Sequence, residues 1–290
     1  MNRFTKYKAS QMPYKILKAC GNNTIYPYLR DENGEKRMWS VSAEHGRSFV
    51  VDKTGNNRYI ITKGNGLSYS SSSFLKTGEV GDDTWGLLLL KDAVRDFTLG
   101  LEISGLGIKT NKMEYVMELQ CEIQMPDGSH IKPIILQYSV ECPYRISDAP
   151  FMYKEDILNE VSKWESLNIN KRIYKHQVAA DILIRNLNIL HSNKVLHNAI
   201  HVQNYTWALE LLDFELACSP ATPYDNEDYQ RHVVDLYPRE IIHTYQVINY
   251  ISNVLHEPLN FQVIDKIYSD HGFNISKYSG VILNPLIQQT

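Results

Sequence analysis

The first half of the chain places short apolar runs on either side of turn residues. Over residues 48–66, SFVVD and RYIITK enclose KTGNN. β-Branched runs around a Gly/Asn turn predict a hairpin whose second strand ends at Lys63. Farther along, YVMELQCEIQM and KPIILQYSVEC flank the turn residues Pro126, Asp127 and Gly128. This pattern predicts a second hairpin.

A loop and one helix are predicted between the two hairpins. The segment 67–83, LSYSSSSFLKTGEVGDD, is rich in Ser and Gly and has no period, so we predict a loop there. The segment 85–104, WGLLLLKDAVRDFTLGLEIS, places its apolar residues at helical spacing. Its charged residues, Asp96 among them, fall on the polar face of the predicted helix.

Helical periodicity dominates after Pro150. The exception is LELLDFEL at 209–216, which predicts a short buried strand. Because strands come first and helices later, we predict an α+β, bilobal protein. A β-rich N-terminal lobe with one helix would span 1–150, a helical C-terminal lobe would span 151–290, and a cleft would separate them. The predicted helical segments are 154–167, 171–192, 237–256 and 261–270.

Composition and charge narrow the range of partners. The net charge is −3 and the 30 Lys and Arg residues are scattered, so we expect no dedicated nucleic-acid surface. The first residues include basic side chains but no apolar core of a signal peptide, and no apolar run approaches membrane-spanning length. Four widely spaced cysteines without a CxxC pair indicate reduced thiols. We therefore expect a cytoplasmic protein without a membrane partner.

Four residues occur in the order that phosphoryl or nucleotidyl transfer requires. Such a site needs a cation on the phosphates, an acidic partner that aims the cation, and an Asn/Asp pair for the metal. Lys63 ends a predicted strand, Asp96 lies on the following helix, and Asn204 and Asp213 follow the long helix. Asp213 opens Asp-Phe-Glu, which is related to the Asp-Phe-Gly metal-binding segment of protein kinases.

The sequence segments around these residues resemble segments of the selenoprotein O family. KGNGLSYS at 63–70 is similar to that family's Lys-Gly-Ala-Gly-x-Thr-Pro-Tyr-Ser, and AVRDF at 93–97 to its Ile-Arg-Glu-Phe. LEISGLGIKT, which follows soon after, is similar to Ser-Glu-Ala-Met followed by a Leu-Gly-Ile-Pro-Thr run. HNAIHVQNYTWALELLDFE at 197–215 resembles the His-Gly-Val-Leu-Asn-Thr-Asp-Asn segment with its later Asp-Tyr-Gly, at the same Asn-to-Asp interval. CPYRISDAPF at 142–151 is similar to Ser-x-Ile-Arg-Phe-Gly-x-Phe.

The resemblance implies a protein-kinase-like fold and a set of ATP contacts. Members of that family are kinase-like proteins that transfer AMP rather than phosphate. By resemblance, Lys63 would bind the phosphates of ATP and Asp96 would pair with Lys63 in place of a Glu. Gly64 and Gly66 would let the backbone approach the phosphates. Arg145 would be one of two arginines that line the phosphate pocket.

The resemblance also implies a metal site, and it shows where this chain departs from the family. Asn204 and Asp213 would hold Mg²⁺ or Mn²⁺. The family's catalytic Asp is replaced by Gln203, which cannot act as a general base, and its first pocket arginine by Tyr138. His201 is an alternative base, since an imidazole titrates near pH 6.5.

The sequence therefore predicts transfer of AMP from ATP to a hydroxyl group of a protein or a small molecule, with metal. Two alternatives stay open. In the first alternative the chain is a kinase that transfers the γ-phosphate, and in the second it is a pseudoenzyme that binds nucleotide and acts as an interaction module. Lys63, Asp96, Gln203 and His201 are the predicted catalytic residues.

Overall fold

The computed structural model divides the chain into two compact units. Unit 1 comprises Met1–Leu101 and Thr110–Tyr144, and unit 2 comprises Glu102–Lys109 and Arg145–Thr290. The sheets lie toward the N-terminus and most helices toward the C-terminus, which confirms the predicted mixed α+β class. The structure describes residues 6–30, 36–40, 47–66, 86–124, 128–224 and 229–282.

The described part of unit 1 contains ten strands in two antiparallel sheets. Eight of them form one sheet, in the order β2-β7-β10-β6-β5-β4-β1-β3, and β8 and β9 form a small separate pair. The strands are β1 Lys6–Gln11, β2 Tyr14–Ala19, β3 Tyr28–Arg30, β4 Lys36–Ser40, β5 Ser48–Lys53, β6 Tyr59–Lys63, β7 Lys112–Leu119, β8 Ile123–Gln124, β9 His130–Ile131 and β10 Ile134–Val140.

Both predicted hairpins are confirmed. Strands β5 and β6 pair antiparallel, with Ser48 opposite Lys63 and Phe49 opposite Thr62. Strands β7 and β10 also pair antiparallel, and the short β8–β9 pair extends this second hairpin toward its turn. Of the predicted turn, Pro126 and Asp127 lie outside the described residues, and so does the predicted loop at 67–83.

The large sheet is strongly curled. Strands β1 and β2 are separated in sequence by only Met12 and Pro13, yet β2 is at one end of the sheet and β1 is next to the other end. Three Cα steps span at most about 11 Å, so the two ends of the sheet must approach each other. Pro13 has no N–H to donate, and its carbonyl accepts a hydrogen bond from Gln120. The curled sheet encloses a core that includes Met117 and Ile135.

The predicted helix of the first half is present but starts later than expected. Helix α1 spans Leu90–Gly105, not 85–104. Leu87 and Leu88 instead form isolated bridges with Asn65 and Ile134, so this part of the chain is extended before the helix begins.

Unit 2 is mostly helical, and all four predicted helical segments are found. The first continues as a 3-10 turn, and the third begins eight residues earlier than predicted. The helices are α2 Lys154–Ser162, α3 Lys175–Ser192, α4 Tyr229–Leu255, α5 Phe261–Asp270 and α6 Ser279–Ile282. The 3-10 segments are Ile146–Phe151, Lys163–Leu167, Val202–Asn204 and Ile275–Tyr278. Within the described ranges, no helix is both long and apolar enough to cross a membrane.

The predicted strand at 209–216 is wrong, although its burial is as expected. Leu211, Leu212 and Phe214 are buried, but the backbone there forms only an isolated bridge between Tyr205 and Leu211. Leu209 and Asp213 adopt left-handed conformations, with φ of 58° and 65°. A strand requires extended φ, so these two residues prevent regular pairing.

Gly64, at the end of β6, should be intolerant of any side chain. Its φ is +98°, and a Cβ would lie 2.3 Å from the Ile134 carbonyl oxygen and 2.7 Å from the Leu88 Cβ. We expect Gly64→Ala to lower the free energy of unfolding by about 2 to 5 kcal/mol in urea denaturation. Gly107→Ala is the matched control, because Gly107 has a φ of +84° in open space and should lose only about 1 to 2 kcal/mol. Equal losses would contradict the packing argument.

Candidate functional site

A buried ion pair joins two of the predicted site residues in unit 1. Lys63 is the last residue of β6, and Asp96 lies in the second turn of α1. The Lys63 Nζ is 2.8 Å from the Asp96 Oδ2, and the side chains are 3% and 2% exposed. Burying two charges costs several kcal/mol per ion unless they are well paired. The close contact between Lys63 and Asp96 offsets this cost in unit 1. The predicted pairing is present, and its role at a phosphate stays a prediction.

The glycines after Lys63 shape the chain around this pair. The Gly64 N–H donates to the Arg47 carbonyl at 2.8 Å, and the Gly66 N–H donates to the Gly86 carbonyl at 3.3 Å. Both glycines have positive φ, which turns the chain sharply where β6 ends. The atoms that lie close to the Gly64 backbone in this structure belong to Ile134 and Leu88 of unit 1. The predicted phosphate contacts of Gly64 and Gly66 stay a prediction.

In unit 2, His197 anchors the loop that precedes Asn204. Its ring is fully buried, Nδ1 accepts from the Ala199 N–H at 3.3 Å, and Nε2 lies 2.8 Å from the Leu212 carbonyl oxygen. With Nδ1 as acceptor, Nε2 carries the proton and donates to Leu212, so the ring is neutral. The ring also meets the edge of Phe214 at 5.5 Å between centroids. His197 thus joins the loop to the Asp-Phe-Glu segment.

The two predicted metal ligands lie on neighbouring stretches of backbone. The Leu212 N–H donates to the Asn204 carbonyl at 2.9 Å, which brings the residue before Asp213 alongside Asn204. The Asn204 Nδ2 donates to the Ala199 carbonyl at 2.9 Å. This bond leaves the amide oxygen as the atom that can face a cation. Carboxylate and carboxamide oxygens are the ligands that Mg²⁺ prefers, so the donor set fits.

Among the described residues, no group of three or more His, Cys, Asp or Glu side chains is arranged to hold a metal ion. The prediction of Mg²⁺ or Mn²⁺ therefore depends on one carboxylate and one carboxamide, completed by water and phosphate oxygens as is usual for Mg²⁺.

Arg145 holds the backbone at Gln203. Its buried guanidinium donates through Nη1 to the Gln203 carbonyl at 2.8 Å, and its own N–H donates to the Asp148 carboxylate at 2.7 Å. The Gln203 side chain is half-buried. The exposed His201 caps the 3-10 turn, because its Nδ1 accepts from the Gln203 N–H at 3.4 Å. The predicted roles of Arg145 at phosphate and of His201 as a base stay predictions.

Glu240 is a supporting residue that sequence reasoning missed. Its buried carboxylate accepts from the Asn198 N–H at 2.6 Å and lies 2.8 Å from the His191 Nε2. Asn198 has a φ of +63°, so Glu240 stabilises a left-handed turn next to His197. The sequence contains one indication of this role. In α4, Glu240 and the buried Val247, seven residues later, lie on the same face of the helix. A charged residue on this face, where an apolar residue is expected, is that indication.

His243, one turn farther along α4, supports the same loop. Burial lowers the pKa of His243, the nearby charges of Arg239 and His201 lower it further, and a hydrogen bond with the Ile200 backbone acts in the opposite direction. The neutral ring is therefore favoured. Sequence reasoning missed this residue as well.

The end of α1 and the residues that follow it contact the stretch from Asn204 to Ser219 at three points. The Lys109 Nζ donates to the Ala208 carbonyl at 3.0 Å, and the Leu211 N–H donates to the Lys109 carbonyl at 2.9 Å. The Ser219 hydroxyl donates to the Glu102 carboxylate at 2.9 Å. The stretch between Asn204 and Asp213 is thus held at Ala208 and Leu211.

Comparison of the sequence with models of known protein families gives no match, and comparison with curated proteins gives no significant match. Functional inference for this chain therefore depends on its own residues. The resemblance to the selenoprotein O family stays a prediction.

Removing one charge of the Lys63–Asp96 pair should destabilise unit 1 more than removing both. Lys63→Met removes the cation that pairs with the buried Asp96 carboxylate and should cost about 3 to 5 kcal/mol of unfolding free energy in urea denaturation. The double variant Lys63→Met/Asp96→Asn should recover part of this loss, because neither member of the pair is then charged.

The Arg58–Glu141 pair of unit 1 is the control for this experiment. Glu141 is 49% exposed, so Glu141→Gln should cost less than about 1 kcal/mol. A Lys63→Met protein as stable as Glu141→Gln would show that the Lys63–Asp96 pair is not shielded from water.

Proposed function

We propose that this chain is a protein-kinase-like nucleotide-binding protein that transfers AMP from ATP to a hydroxyl group of a protein or a small molecule. The observation that carries the proposal is the buried Lys63–Asp96 pair, formed between a strand end and the helix that follows it. An ammonium group held by a carboxylate in this way is suited to binding phosphate oxygens. In the proposed kinase-like fold, units 1 and 2 correspond to the two lobes.

The reaction needs charge stabilisation more than covalent participation by the protein. The acceptor oxygen forms a bond to the α-phosphorus of ATP, the bond from that phosphorus to the bridging α–β oxygen breaks, and pyrophosphate leaves. Lys63 would stabilise the negative charge on the phosphate oxygens. A divalent cation held by Asn204 and Asp213 would supply further positive charge. Low solvent exposure around Lys63 strengthens such charge-assisted hydrogen bonds.

The acceptor proton needs a destination other than Gln203. A carboxamide cannot take a proton at neutral pH, whereas the imidazole of His201 can. His201 is exposed, and its Nδ1 accepts a hydrogen bond of 3.4 Å from the Gln203 N–H, so Nε2 carries the ring proton. As the base, His201 would exchange this long hydrogen bond at Nδ1 for one from the acceptor hydroxyl, and Nδ1 would take the proton. A general base contributes about 10² to 10⁴-fold, which is smaller than the combined contribution of positioning and charge.

A second candidate function is nucleotide binding without transfer. Two neutral side chains favour it, since Gln203 stands where the family has its catalytic Asp and Tyr138 where it has a pocket arginine. Tyr138 is buried in β10. In this reading the nucleotide stabilises one conformation of an interaction module.

Labelled ATP distinguishes these functions. The purified protein is incubated with Mg²⁺ or Mn²⁺, a library of peptides containing Ser, Thr and Tyr, and ATP labelled on either the α- or the γ-phosphate. We expect label on the peptides or on the protein itself only from the α-phosphate. Lys63→Met/Asp96→Asn should reduce the rate at least about 100-fold, while Glu141→Gln should leave it unchanged.

The alternative outcomes are distinct. Label from the γ-phosphate alone would indicate a kinase. ATP binding without any label would indicate a binding module, and transfer that is unaffected in the Lys63→Met/Asp96→Asn variant would disprove the proposed site.

Asp213 should be required for the effect of metal on ATP binding. Asp213→Asn keeps the size of the side chain and tolerates the left-handed φ of 65°, but it removes the negative charge. By titration calorimetry with and without Mg²⁺, we expect the increase in ATP affinity caused by the metal to fall at least about tenfold. Glu215→Gln, two residues away, is the control. If both variants retain the full metal effect, the cation binds elsewhere.

A further inference from the structure

Ser48 lies directly opposite Lys63 in the β5–β6 hairpin. Opposite residues of an antiparallel pair point to the same side of the sheet, with Cβ atoms about 4.5 to 5.5 Å apart. Ser48 therefore shares the side of the sheet on which Lys63 meets Asp96. Its side chain is buried, with a relative exposure of 2%.

The hydroxyl group of Ser48 is one of several buried polar groups without a hydrogen-bond partner, and it is on the same side of the sheet as Lys63. Its Oγ is shielded from solvent and has no hydrogen-bond partner in the described structure. Leaving a buried hydroxyl unsatisfied is unfavourable, so folded proteins rarely retain one without a reason. A serine at this position makes the folded protein less stable than an alanine would, unless a ligand of unit 1 forms a hydrogen bond with the hydroxyl.

The neighbouring charges indicate what that ligand is. The Lys63 ammonium has three N–H donors, and Asp96 accepts one of them at 2.8 Å. A group that contacts both the ammonium and the Ser48 hydroxyl must accept hydrogen bonds and is favoured if it is negatively charged. Phosphate oxygens meet both requirements.

We propose that Ser48 is a phosphate-binding residue, whose hydroxyl donates a hydrogen bond to an oxygen of the phosphate chain that Lys63 binds. This inference rests on the proposed function and adds a second contact to its phosphate site. The contact recognises the phosphates and not the nucleoside, so it strengthens binding of ATP and leaves binding of adenosine unchanged.

Thr62 supplies a matched control within the same strand. It is adjacent to Lys63 and therefore points to the opposite side of the sheet. Like Ser48, it is fully buried, and its Oγ1 has no partner among the described residues. Thr62→Val removes the hydroxyl and keeps the shape of the side chain.

The test compares Ser48→Ala and Thr62→Val with the wild-type protein. Thermal unfolding should show that neither variant is less stable, because each loses a hydroxyl that is unsatisfied in the free protein. In titration calorimetry with Mg²⁺, Ser48→Ala should bind ATP about tenfold more weakly and adenosine as well as wild type does. Thr62→Val should bind both as wild type does.

Several results would overturn the proposal. If Lys63→Met/Asp96→Asn weakens ATP binding but Ser48→Ala does not, Ser48 makes no phosphate contact although the proposed function stands. Equal weakening of ATP and adenosine by Ser48→Ala, or equal weakening of ATP by both single variants, would indicate a general packing effect. If the wild-type protein does not bind ATP at all, both the inference and the proposed function are wrong.

Discussion

The buried contact between Lys63 and Asp96 is the constraint on which the rest of unit 1 depends. Burying a charge is unfavourable unless an opposite charge pairs with it, so this contact holds the end of β6 against the second turn of α1. The positive φ of Gly64 allows the chain to leave the strand immediately after the lysine, in close contact with Leu88 and Ile134. The ion pair and the turn at Gly64 together define how β6 ends.

Unit 2 uses a different principle to hold its candidate site. The stretch from His197 to Asp213 has left-handed residues and cannot form a regular ladder, so its backbone groups need other partners. Buried side chains supply them. His197 donates to the Leu212 carbonyl, Arg145 to the Gln203 carbonyl, and Glu240 accepts from the Asn198 N–H. Side-chain bonds to backbone thus give an irregular loop one conformation, as a site for a ligand requires.

The differences between expectation and structure have identifiable causes. The predicted strand at 209–216 is absent because apolar periodicity reports burial but not the sign of φ, and Leu209 gives no indication that its φ is positive. Helix α1 begins late because Leu87 and Leu88 pair with residues elsewhere in the chain. In both cases a tertiary contact or a local backbone conformation overrides a pattern that was correct about burial.

The sequence by itself determined the two hairpins and the positions of the main helices, because turn chemistry and periodicity depend on residues a few positions apart. The order of Lys63, Asp96, Asn204 and Asp213 along the chain made them site candidates. Only the tertiary structure decided which polar groups meet. The pairing of Lys63 with Asp96, 33 residues apart, was expected from a family resemblance, whereas nothing in the sequence paired Glu240 with Asn198, 42 residues away. Such contacts depend on how elements pack and on which groups lose water, and no local pattern contains that information.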